Sequence, residues 1–142
     1  MKKIIFLAAI MSLLATACKK NTDKNCTADA ASIAGSYHIT AVTYKANASA
    51  SEADYFNVFF PDACERDDLH TFFAAGTYQL KDLGMVCTPN GDDVGTWSIS
   101  GNTMTIDGSP ASIQSFNCSS LILAMSNIQT AGDQVKITLT KQ

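Results

Sequence analysis

Histidine is scarce in this chain. Only His38 and His70 occur, and neither stands in a metal-binding spacing such as His-x-x-x-His or His-x-x-Glu-His. No Gly-x-Ser-x-Gly elbow exposes a serine nucleophile, and a catalytic triad is recognised by geometry rather than by composition. The chain is therefore expected to be no enzyme, to carry no catalytic residue and to need no cofactor. Cys-x-x-Cys is also missing, which argues against a zinc ribbon and a thioredoxin-like redox pair. The acidic residues Asp62, Glu65, Asp67 and Asp68 offer the oxygen ligands that calcium wants. Their spacing departs from an EF-hand loop and Arg66 intrudes, so a solvated loop without metal is expected. Asp92-Asp93 beside Gly91 reads as a turn. Positive charge is thin as well. Beyond Lys24 the basic residues are Lys45, Arg66, Lys81, Lys136 and Lys141, and the formal net charge is −3. A surface of that sign repels phosphate backbones, which excludes nucleic acid as a partner.

Long apolar runs are lacking too. The longest, residues 4–11 with Leu13 and Leu14 behind it, falls short of the roughly 20 residues that a spanning helix needs. Lys2 and Lys3 precede it, and small residues follow, which is the layout of a secretory signal. The sequence Leu13-Leu14-Ala15-Thr16-Ala17-Cys18 resembles the lipobox of bacterial lipoproteins. Ala17 and Cys18 match it, while Ala15 stands where leucine is more usual. The resemblance implies that the Cys18 thiol takes a diacylglycerol and that its amine, freed by cleavage, takes a further acyl chain. Each buried methylene contributes about 0.8 kcal/mol, and two or more chains make a stable anchor. The other reading is an ordinary secreted protein with a coincidental cysteine. Residues 1–17 are thus expected to be a signal peptide, with the product lipid-anchored at the outer membrane of the cell envelope, on either face. Residues 18–31 are polar and small, with too little apolar surface to fold, and read as a lipidated tether. Lys19, Lys20 and Lys24 lie beside the expected lipid.

Removal of the signal leaves length for one modest domain, residues 32–142, and not for two. Four cysteines remain after Cys18: Cys26, Cys64, Cys87 and Cys118. In an oxidising compartment an even set usually forms disulfides, with zinc the minor alternative. Four cysteines allow three connectivities, and the spacing does not choose among them.

Within the domain the signals are short and strand-like. Residues 36–44 are rich in β-branched and aromatic side chains. Residues 69–73 and 77–80 flank Ala75-Gly76. Residues 96–100 and 103–106 flank Gly101-Asn102, a two-residue link that suits mirror-image hairpin turns. Trp97 and Ile99 alternate with Thr96 and Ser98, and Met104 and Ile106 with Thr103 and Thr105. That is period two, with one greasy face and one polar face. Residues 112–117, 121–127 and 135–139 complete about eight strands. Hairpins in series close most economically into an up-and-down antiparallel barrel, a two-sheet sandwich being the runner-up.

One long insert, residues 47–68, interrupts this pattern between the first two strands. Ser51 is read as a helix N-cap, with Glu52 and Asp54 in the first turn. Tyr55, Phe56, Val58, Phe59 and Phe60 follow, ended by Pro61. These rings form either a plug of hydrophobic core or the lid of a ligand cavity.

Several features resemble the lipocalin-like domains of small bacterial lipoproteins, many of them from Bacteroidetes-type organisms. They are Ile33-Ala34-Gly35-Ser36-Tyr37, Cys64-Glu65-Arg66-Asp67-Asp68, Phe72 and Phe73, Gly76-Thr77-Tyr78, Cys87, and Gly95-Thr96-Trp97-Ser98-Ile99 with its hairpin into Met104 and Ile106. Tyr37 stands where lipocalins carry tryptophan, and no arginine follows the last strand to cover that ring. The resemblance implies an eight-stranded all-β barrel and a Cys64–Cys87 disulfide, which leaves Cys26 and Cys118 for each other. It implies no activity, because a fold does not specify function.

A barrel of eight strands either fills with side chains or holds one small ligand. The inward set is read as Tyr37, Ile39, Phe73, Tyr78, Leu80, Trp97, Ile99, Met104, Ile106, Leu121, Leu123, Val135, Ile137 and Leu139. Two functions stay open. One is a monomeric, membrane-tethered carrier of a small apolar ligand, with Tyr55, Phe56 and Phe59 near the mouth and Tyr37 and Trp97 in the bore. The other is an interaction or inhibitor module that contacts another envelope protein through its loops. A connected interior void of at least roughly 300 Å³ separates them.

Overall fold

The computed structural model describes residues 26–142. The expected signal segment, the acylation site Cys18 and the first part of the tether lie outside the described residues. Nine antiparallel strands form one sheet that closes on itself through pairing of β1 with β9. β1 (Gly35–Lys45), β3 (Leu69–Phe72), β4 (Thr77–Lys81), β5 (Asp93–Ser100), β6 (Thr103–Ile106), β7 (Ser109–Phe116), β8 (Ser120–Ser126) and β9 (Gln134–Lys141) make the ring. β2 (Ala53–Asp54) adds a two-residue pairing to the upper part of β1. The hairpin expected around Gly101-Asn102 is present, with Trp97 opposite Ile106 and Ile99 opposite Met104. Its apolar positions face inward because directly opposed residues share a face of the sheet.

Up-and-down winding sorts the connections between two ends. The turns β3–β4, β5–β6 and β7–β8 lie at one end with the start of β1 and the end of β9. The insert between β1 and β3, the β4–β5 loop and the turns β6–β7 and β8–β9 lie at the other. The first end is closed. A single turn of helix, α1 (Ala30–Ile33), sits there, its first turn capped by Asp29 Oδ1, which accepts from Ser32 N–H at 2.8 Å. Ile33 is fully buried, and Ala28 packs against the core. Residues 26–31, read as tether, thus belong to the fold, tied in by a disulfide and by α1, which leads into buried Ile33. The Cys26–Cys118 bond fastens this segment to the β7–β8 turn.

Four aromatic side chains form the floor of the core. Tyr37, Phe72, Tyr78 and Trp97 interlock, Phe72 lying 5.3 Å from both Tyr78 and Trp97 and meeting Tyr37 edge-on at 5.8 Å. Such arrangements suit the ring quadrupoles. The Tyr37 hydroxyl donates to Ile33 O at 2.6 Å, and the Trp97 indole donates to Phe73 O at 2.8 Å. Burial pushes the Tyr37 phenol up to about 12. Lys141 covers the Tyr37 ring, its Nζ 5.6 Å from the ring centre and bonded to Ser32 O. A lysine thus takes the covering place for which no arginine is available.

Two expectations need correction. Phe73 does not point inward: it is 45% exposed, and Phe72 is the buried ring. The ladder pairs Phe72 with Gly35 and Tyr78, so the strand ends there and Phe73 opens the turn. Nor does Ser51 cap a helix. The insert's helix, α2 (Phe56–Phe59), starts later, because residues 53–54 pair with β1 first. Asp54 Oδ1 accepts from Phe56 N–H at its start.

Candidate functional site

The open end is built by buried aspartates. Asp133 lies in the β8–β9 turn, where its carboxylate accepts N–H bonds from Ile128, Gln129 and Thr130 and a longer one from the Tyr44 hydroxyl. Burial pushes its carboxyl up, yet these donors hold it below the usual range. Asp82 does the same for the β4–β5 loop, accepting from Cys87 N–H and Gly91 N–H. That loop is joined to the insert by the Cys64–Cys87 disulfide. Both disulfides follow the pairing that the family resemblance implied.

Between this rim and the aromatic floor, the ladders define what faces the bore. Tyr37, His70, Leu80 and Asp93 form one cross-strand row, and Phe72, Tyr78 and Gly95 the next. Tyr44, Val135 and Met125 form a row nearer the mouth. His70 Nδ1 lies 2.8 Å from the Tyr78 hydroxyl, a hydrogen bond inside the bore. Burial and the nearby His38 hold His70 down to about 4, so it is neutral at pH 7. Burial, with Asp107, Asp93 and Asp68 nearby, pushes the Tyr78 phenol up to about 12.

His38 serves the wall. Its Nδ1–H donates to Asp68 O at 2.8 Å, bridging β1 and β3 just above the three residue pairs that join them. Asp68 is 8% exposed and its Oδ1 has no hydrogen-bond partner. Desolvation, then Asp82, Asp67 and Glu65, push its carboxyl up to about 6.

The residues singled out from the sequence divide between floor and mouth. Tyr37 and Trp97 are packed floor, 0% and 3% exposed. Tyr55 stacks on Tyr44 at 4.6 Å and touches Phe59, while Phe56 pairs with Phe60. None of these insert rings is buried or joins the core cluster, so they form no plug. Sequence reading placed Leu80 inward but missed its cross-strand neighbours His70 and Asp93, which strand pairing sets in the same row.

Two pockets stand out, and both lie outside the bore. One, about 280 Å³, is lined by Lys45, Asn47, Ser126 and Asp133 at the rim. The other, about 460 Å³, lies between Asp62–Glu65 of the insert and Met85, Cys87 and Pro89. Ile39, Leu80, Ile99, Ile106, Met125 and Ile137 are only partly buried, although they pack against the core. Among the described residues no group of three or more His, Cys, Asp or Glu is placed to hold a metal ion.

A ring of hairpins with a helical turn and a covered aromatic at its closed end narrows the family sharply. The family model described as "Lipocalin-like domain" matches residues 33–123, well over half of the chain. The chain belongs to the lipocalin-like family. No curated protein matches it. The matched span of the lipocalin-like domain runs from the buried Ile33 through Leu123 of β8, so it includes the floor, the insert and the inward His70–Tyr78 pair.

Proposed function

We propose that this lipocalin-like protein is a non-catalytic, membrane-anchored carrier that seats a small, mainly apolar molecule in its bore. One observation carries the reading. The lipocalin-like match spans most of the ring, and the inward side chains Ile39, Leu80, Ile99, Ile106, Met125 and Ile137 are only partly buried although they pack against the core. Burial of such surface by a ligand contributes roughly 25 cal/mol per Å² before the costs of binding are met. Tyr55 stacked on Tyr44 gives the mouth a lid. Acylation at Cys18 would place the membrane at the closed end, with Cys26 and α1, and turn the mouth outward.

Native mass spectrometry of the protein purified from its own envelope tests this. A small molecule released from the folded chain is the expected result, and a ligand-free chain under gentle conditions would remove the carrier. A second reading has its own support. Val58, Leu83, Met85, Val86, Val94 and Ile128 are exposed apolar side chains, all at the open end, where they would suit contact with another envelope protein. A co-purifying protein in place of a small molecule would favour it.

A further inference from the structure

The carboxylates of this molecule gather at the open end, where they outnumber Lys45, Arg66, Lys81 and Lys136. Every Asp and Glu of the described residues except Asp29 lies at the open end, on the insert, the β4–β5 loop, the upper end of β2 or β5, or the β6–β7 and β8–β9 turns. Only two ion pairs neutralise them among the described residues, Lys81–Asp92 and Lys136–Glu52. Three of the remaining carboxylates stand beside the His70–Tyr78 pair. Asp93 is opposite Leu80 in the inward row. The Asp107 carboxylate occupies the space where a side chain on Gly95 would sit, next to Tyr78 on the inner face. It is held there by the Thr96 N–H at 2.7 Å. Asp68 precedes β3 on the side of the strand that carries His70, and it is more than nine-tenths buried with an orphan Oδ1.

We infer that the cup selects a cationic amphiphile, an apolar body carrying a protonated amine, whose head is held by Asp68, Asp93, Asp107 and the Tyr78 hydroxyl. This rests on the carrier reading and adds the charge of the cargo to it. A buried acceptor without a donor is costly, and an ammonium group brings three donors and a charge of the right sign. The bore offers the opposite head no positive charge. His70 is neutral at pH 7, and Lys141 lies below the floor, engaged by Ser32 O and the Tyr37 ring. A fatty carboxylate would therefore find no cation beside the His70–Tyr78 pair, since Lys45 lies out at the rim and Arg66 is bonded to Phe60 O and Pro61 O. The stacked Tyr44 and Tyr55 rings add faces that attract a cation on its way in.

The test compares dodecylamine with dodecanoate, both below their micellar concentrations, by isothermal titration calorimetry. The protein is the mature chain from residue 18 carrying Cys18→Ala, so that no acyl chain of its own competes for the bore. Dodecylamine should bind roughly tenfold tighter or more at low salt. The preference should shrink at high salt, because exposed charge is screened, and again in Asp93→Asn and Asp68→Asn. Dodecanoate binding in those variants checks that the bore is intact. Equal affinities, tighter dodecanoate, or an amine preference untouched by both substitutions would overturn the inference while leaving a carrier. If neither probe binds, the carrier reading falls, and the inference with it.

Discussion

Single ionisable groups set opposite demands on this fold. His70 has a folded pKa of about 4, below its ordinary 6.5, so the folded state resists protonation. Its contribution is present above pH 6.5 and is lost as pH falls toward 4, by about 3 kcal/mol. Asp68 has a folded pKa of about 6, above its ordinary 3.8. The folded state takes up that proton before the unfolded chain does, so stability rises as pH falls through 6. The two oppose each other, and thermal melts of the wild type should change little between pH 7.5 and 4.5. Asp68→Asn should melt higher than wild type at pH 7.5 and then lose stability on acidification. His70→Gln should gain stability over the same range, and parallel slopes for both variants would contradict this assignment. Asp82→Ala should cost about 2–4 kcal/mol in denaturant titration, since it strands the Cys87 and Gly91 N–H groups. None of this was legible in the sequence. Asp82 and Asp133 look like any turn aspartate, and only the backbone around them turns their oxygens inward.

At the scale of elements the sequence was more readable. Trp97, Ile99, Met104 and Ile106 announce their hairpin, because one face is buried and the other is not. Phe72 and Phe73 could not be told apart by composition, since the pairing of Gly35 with Phe72 decides which ring is inside. β2 and α1 escaped notice, being two and four residues long and held by what lies beside them. The insert is the element with least burial of its own, and its ties are β2, the Tyr44–Tyr55 stack and the Cys64–Cys87 bond. Replacing both cysteines by alanine frees a 23-residue separation, and should lower stability by roughly 2–4 kcal/mol. Hydrogen exchange should then quicken first in residues 56–60 and 83–91. Uniform loosening of all strands would show that the bond serves the whole barrel instead.

For the whole molecule, the closed end gathers the start of the described chain, its C-terminus and the Cys26–Cys118 bond, while the loops gather at the other end. Cys18→Ala should move the protein from the membrane fraction to the soluble one, and full retention on membranes would remove the acyl anchor from the proposal. The fold class was readable from the hairpin series, because closure is what a run of short strands needs to hide its edges. How fully the inward side chains are buried was not, because parity assigns side chains to the inside without saying how tightly they pack. The closed-end crosslink also decides how the body meets mechanical load. A tug arriving through the leader reaches Cys26 and passes through sulfur to the β7–β8 turn. A load entering at Cys26 therefore bypasses the helical turn and the first strand.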